Sequence, residues 1–167
     1  MKYLIMSAVI AFLLVACGES AAPVSEPAGG GWIIGESTNP SDNTTIAIAS
    51  LEADTGRGFN GNLVTLVIRC SSVGGEFYIG WESDLGLGNI SIVIRIGDGQ
   101  PIASSWGISA DNTVTFSRLD FSSFMRSLME ADRFEAQITP NNDNPIDAVF
   151  DLTGIEEAVP RVLEYCE

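Results

Sequence analysis

The feature that most constrains this chain is a period-two alternation of apolar residues, in short runs separated by turn chemistry. It is clearest at Ile90, Ile92, Ile94 and Ile96, which alternate with Ser91, Val93 and Arg95. Alternation of this kind sends successive side chains to opposite faces of a strand. Leu63–Cys70 repeats it, with Val64, Leu66, Ile68 and Cys70 on one face and Leu63, Thr65, Val67 and Arg69 on the other. Thr45–Leu51, Glu76–Trp81, Pro101–Ile108, Thr113–Ser117, Arg133–Ile138 and Ile146–Leu152 bring the total to about eight short strands. Gly74-Gly75, Gly97-Asp98-Gly99 ahead of Pro101, Asp111-Asn112, and Asn141 to Pro145 supply the turns between them.

Two segments change to a helical period. Phe121, Phe124, Met125, Leu128 and Met129 form one stripe, with Asp120 placed to cap its N-terminus. Ile155, Ala158, Val159, Val162, Leu163 and Cys166 form another, opened by the capping-box pattern Thr153-Gly154-Ile155-Glu156. Pro160 is expected to kink this second helix or divide it. The pattern predicts one α+β domain, an antiparallel-rich β-sheet or sandwich with two packed helices and no internal repeat.

The N-terminus reads as an address. Leu4–Val15 is apolar apart from Ser7, and it follows Lys2, the only lysine in the chain. This run is too short for a hydrocarbon core of about 30 Å, which takes roughly 20 helical residues, but it matches a secretory h-region. Leu14-Val15-Ala16-Cys17 resembles the lipobox of bacterial lipoprotein signal peptides. That resemblance implies cleavage before Cys17, a diacylglyceride on its sulfur and acylation of the new amine. Gly18, in place of Asp, implies the outer membrane, with the protein facing the periplasm. Residues 18–31 close on Gly29-Gly30-Gly31 and read as a flexible tether, so the folded domain is expected over 32–167, from Trp32 onward. With Cys17 set aside, Cys70 and Cys166 remain as one possible disulfide in an oxidising compartment. Two buried free thiols are the alternative.

Composition removes several function classes. The 167 residues include 22 acidic, 8 basic and no histidine, which excludes Ser-His-Asp and Cys-His relays and imidazole-based zinc sites. After Cys17 the chain holds 7 Arg against all 22 acids, a net charge of −15. That charge argues against nucleic acid or a bare anionic lipid surface as partner and leaves the lipid anchor as the contact with membrane.

Gly56-Arg57-Gly58-Phe59-Asn60-Gly61 spells a dinucleotide fingerprint, but the fingerprint needs a helix N-terminus after it. A strand follows here, so a hairpin loop is expected. The loops 54–62 and 141–144 carry oxygen ligands without EF-hand spacing; solvated turns are expected, and no metal or cofactor. No carboxylate pair stands out for glycosidase chemistry. Arg69 and Arg95 lie on the less apolar faces of their strands, where ion pairing is the expected role. If those strands are neighbours, the two guanidinium groups make a polar recognition patch with Trp81 or Trp106 beside it. Arg69, Arg95, Asp98 and Trp106 are therefore the candidate binding set. Trp32 and Trp106 are otherwise expected to pack in the core or at its rim.

Residues 32–167 also resemble the type VI secretion-associated accessory proteins called VasI or TagO. The resemblance rests on Trp32, on Asn39-Pro40-Ser41-Asp42-Asn43-Thr44-Thr45, and on Leu66-Val67-Ile68-Arg69-Cys70. It continues through Phe77-Tyr78-Ile79, Arg95-Ile96-Gly97-Asp98-Gly99 and Trp106-Gly107-Ile108-Ser109. Ala148-Val149-Phe150-Asp151-Leu152-Thr153-Gly154 and Cys166 close it. It implies an exported envelope protein with Cys70 paired to Cys166 and an accessory role without catalysis, its partner a component of the envelope or the secretion apparatus. A small-ligand or cell-wall-fragment module using the Arg69 and Arg95 face is the alternative. A carboxylate-dependent hydrolase is the third reading.

Overall fold

A computed structural model describes residues 25–141 and 144–166. The expected signal segment, Cys17 and the start of the expected tether lie outside the described residues. The strands are β1 Ser25–Pro27, β2 Ile33–Thr38, β3 Thr45–Arg57, β4 Leu63–Ser71 and β5 Gly74–Gly80. They continue with β6 Asn89–Ile96, β7 Ile102–Ile108, β8 Val114–Phe116, β9 Arg133–Ile138 and β10 Ile146–Asp151. Helix α1 spans Phe121–Met129 and α2 spans Ile155–Leu163.

Strands β3 to β10 are the eight alternating runs of the sequence, and they close on themselves. The order is β3-β10-β9-β6-β7-β8-β5-β4, and β4 returns to pair with β3. The expected sheet or sandwich is therefore an eight-stranded antiparallel barrel, and closure removes the exposed edges that an open sheet would carry. The length of β3 makes this possible. Its first half pairs with β2 on one edge and β4 on the other; further along, Thr55 meets Val149 of β10 on the edge that β2 has left. The β3–β4 register shifts between Glu52 and Arg57, the sort of irregularity that bends a strand. Gly56, at φ 98°, lies where a Cβ would fall 2.7 Å from the Asp147 carbonyl oxygen, so a glycine permits the seam.

The fold also reaches further upstream than Trp32. Residues 25–31, expected as tether, contribute β1, with Ser25 opposite Gly35 and Pro27 opposite Ile33. Ala28 is buried, and Gly30 packs so tightly on Thr153 that a Cβ there would sit 1.6 Å from its carbonyl oxygen. Backbone pairing and glycine contact hold this segment, and neither leaves an apolar pattern to read.

The interior is aromatic. Trp32, Trp81, Trp106, Phe134 and Phe150 are fully buried. The Phe77 ring meets Trp106, Phe124 and Phe134 edge-on, with centroids 5.7, 4.6 and 5.7 Å away, the geometry favoured by ring quadrupoles. Two of the tryptophans differ in polarity. Trp81 Nε1 donates to Thr115 Oγ1 at 2.9 Å, whereas Trp106 Nε1 has no acceptor among the described residues. Trp81→Phe strips a buried hydroxyl of its donor, while Trp106→Phe deletes a donor that is already unpaired. We expect Trp81→Phe to destabilise the protein by about 1–2 kcal/mol more than Trp106→Phe in urea unfolding.

Both helices fall where their stripes predict. Asp120 accepts from Ser123 N–H at 2.9 Å, as an N-cap should, and these bonds hold its carboxyl below the usual carboxylate range. The start of α2 departs from expectation. Its N-cap is Gly154 at φ 87°, and the Thr153 hydroxyl donates to Asp151 at 2.7 Å instead of closing a capping box. Pro160 lies inside α2 without dividing it, since the buried residues Ala158, Val159 and Val162 hold the helix against the sheet on either side of the ring.

Candidate functional site

The helices close one end of the barrel. Phe124 of α1 reaches inward onto Phe77 and Phe134. Beyond α2, Cys166 is bonded to the inward-facing Cys70 of β4, with Cα atoms 4.8 Å apart. This disulfide staples the end of the chain to the sheet. Arg161 pairs with Glu26 of β1, and the Tyr165 hydroxyl donates to the Glu36 carboxylate of β2 at 2.6 Å. That bond raises the pKa of Tyr165 above the usual phenol value.

Between α1, the end of α2 and the β4–β5 turn lies a groove of about 740 Å³. Its apolar lining comes from Phe121, Met125, Met129 and Leu163, with the disulfide-bonded Cys166 beside them and Arg126 and Glu130 at the rim. The groove follows from local sequence. The α1 stripe is wider than the barrel end can cover, so Phe124 and Leu128 enter the core while Met129 remains 37% exposed. Gly75 lets the Phe121 ring rest on the turn backbone; a Cβ there would stand 2.2 Å from the ring. An apolar trough containing two flexible thioether side chains can accept apolar side chains of varied shape.

The sequence-derived binding set does not assemble. Arg69 on β4 and Arg95 on β6 stand four strands apart whichever way the barrel is counted, on opposite walls. Arg69 is paired with Glu76 on β5, and its guanidinium carbon lies 5.9 Å from the Tyr78 ring centroid. Burial raises the pKa of that tyrosine, with Arg69 opposing the rise. Arg95 Nε is 3.7 Å from Glu135, which also takes Arg133 Nε at 3.1 Å. Asp98 is exposed in the β6–β7 turn, three residues beyond Arg95. Trp106 is wholly inside the barrel and cannot flank an external patch. Both arginines are thus in ion pairs, the role first expected of them, and the joint recognition face is corrected.

The Gly56–Gly61 motif forms a hairpin, closed by Gly58 N–H to Asn62 O at 3.0 Å, with β4 following it. Among the described residues, no group of three or more His, Cys, Asp or Glu is placed to hold a metal ion, and no helix is long and apolar enough to cross a membrane. The groove residues were legible as helix stripes but read as core. The usable signal was the Met125 and Met129 pair next to a Gly-Gly turn partner.

No family model matches this chain, and no curated protein matches it. Among solved structures, invasion associated protein B from Bartonella henselae is similar in fold. Its TM-score is 0.60 at 11% identity, over 84% of this chain and 96% of that one. The likeness shows that the barrel is shared with a bacterial protein.

Proposed function

We propose that this chain is a non-catalytic, lipid-anchored protein of the bacterial envelope that acts as a docking module. Its groove between α1 and α2 holds an apolar segment of a partner protein. The observation that carries this reading is the groove itself, an apolar trough beside a disulfide on a domain that is otherwise strongly acidic. With a net charge of −15 after Cys17, the matching partner is an amphipathic segment whose apolar stripe is flanked by basic residues.

β1 enters from the side of Glu36, which pairs with Ala47, itself opposite Cys70, so Ser25 lies at the groove end of the barrel. The absence of histidine supports a non-catalytic role to the extent that it removes imidazole relays. The resemblance to VasI and TagO narrows the partner to a component of a type VI secretion apparatus, which adjacent secretion genes would support.

Met129→Glu tests the docking. The residue is partly exposed, so its replacement is expected to leave the melting temperature within about 2 °C of wild type. Burying a carboxylate under an apolar ligand should weaken partner binding by at least about tenfold, read by co-purification from envelope membranes. Unchanged co-purification would remove the groove from the account.

A further inference from the structure

The barrel end opposite the helices carries a second cleft, of about 500 Å³, unrelated to the groove and to the anchor. It lies between the β3–β4 hairpin tip, the segment after β5, and Asn141 in the β9–β10 connection. Its two main walls are locked together. The Gly58 backbone passes so close to Trp81 and Glu82 that a Cβ would lie 2.3 Å from the Glu82 carbonyl oxygen. Phe59 N–H donates to Ser83 Oγ at 2.8 Å, and Ser83 is almost completely buried. The Asn60 and Asn62 amides both donate to Glu82 Oε2, at 3.0 and 3.3 Å. Across the cleft, Asp84 accepts from Gly86 N–H at 2.9 Å.

On this polar frame the Phe59 ring stands 87% exposed. Exposure of an aromatic ring on a pre-formed tip leaves a flat apolar surface directly beside fixed hydrogen-bonding groups. We infer that this cleft binds a neutral oligosaccharide, with the C–H face of one sugar ring stacked on Phe59 and its hydroxyls shared among Glu82, Asp84, Asn60 and Asn141. The lining narrows the class. It contains no Lys or Arg, and its two carboxylates repel phosphate, sulfate and uronate. A purely apolar ligand would strip water from Glu82, Asp84 and the amides without pairing them. A hydroxyl both donates and accepts, so it can satisfy carboxylates and amides side by side. The backbone contact at Gly58 means that the walls need not be ordered on binding.

The test uses the exported, processed chain and four neutral trisaccharides built from glucose, N-acetylglucosamine, galactose or mannose. A galacturonic acid trisaccharide and choline serve as controls. Saturation-transfer NMR should show at least one neutral trisaccharide binding at or below millimolar concentration, with transfer from the Phe59 ring, and no binding of the uronate. Phe59→Ala and Glu82→Gln should each weaken that binding by about tenfold or more, with the unfolding midpoint of Phe59→Ala unchanged. Failure of all four sugars at millimolar concentration would overturn the inference. So would affinity unaffected by Phe59→Ala, or choline binding in preference to every sugar.

Discussion

Removing the Cys70–Cys166 bond is expected to lower stability by about 4–5 kcal/mol. The two cysteines are separated by 96 positions, so the bond closes the chain from the end of β4 to just beyond α2 into one loop. In the chain-entropy description most of the effect lies in the unfolded state, where a loop of this length restricts many conformations. The native state contributes too. Cys70 is completely buried, and the segment it holds supplies Leu163 and Cys166 to the groove wall. Without the bond, the end of α2 keeps the Arg161–Glu26 pair and the Tyr165–Glu36 hydrogen bond, both exposed and each worth little. The double variant Cys70→Ala/Cys166→Ala should therefore melt roughly 10–20 °C below the oxidised protein. Reductant should lower the wild-type midpoint and leave the variant's unchanged. A loss below about 1 kcal/mol would contradict this assignment of the bond's role.

The second large effect concerns location and is close to all-or-none. On the proposed anchoring, Cys17→Ser should move the protein from the membrane fraction to the soluble periplasmic fraction. The reasoning is electrostatic as much as covalent. After Cys17 the chain has no lysine and a net charge of −15, so an anionic leaflet repels it. No described helix can span the bilayer in compensation. Acyl chains contribute about 0.8 kcal/mol per buried methylene, and two or more of them outweigh that repulsion. Mass spectrometry of the wild-type N-terminus should find an acylated cysteine. Detergent-dependent fractionation of Cys17→Ser would show that something other than the lipid holds the protein.

The eight barrel strands were visible because each turns one face to a single interior, which imposes period two on every run. Both helices were visible for the same reason at period 3.6. Closure was not visible, because it depends on β3 changing partners along its length and on Gly56 approaching β10, contacts between residues about ninety positions apart. Strand β1 was invisible because its pairing is carried by backbone groups that any sequence possesses. The Arg69 and Arg95 patch failed on strand order: alternation shows which face a residue occupies, but not which strands lie side by side. The groove failed on a subtler point. A helix stripe shows which residues avoid water, and Phe121, Met125 and Met129 form such a stripe beside an end that the fold does not fully cover.

The most direct test of the docking account is a photo-activatable cross-linker placed at Met129 in cells, with the same probe at Val93 on the outer barrel wall as control. The account predicts a discrete adduct from Met129 and none from Val93. Peptide mapping should locate it on an amphipathic, basic segment of another envelope protein, and Leu163→Asp in the same chain should abolish it. Adducts only to lipid, only to this chain's own N-terminal segment, or equally from Val93 would contradict the claim that the α1–α2 groove is a protein-docking site.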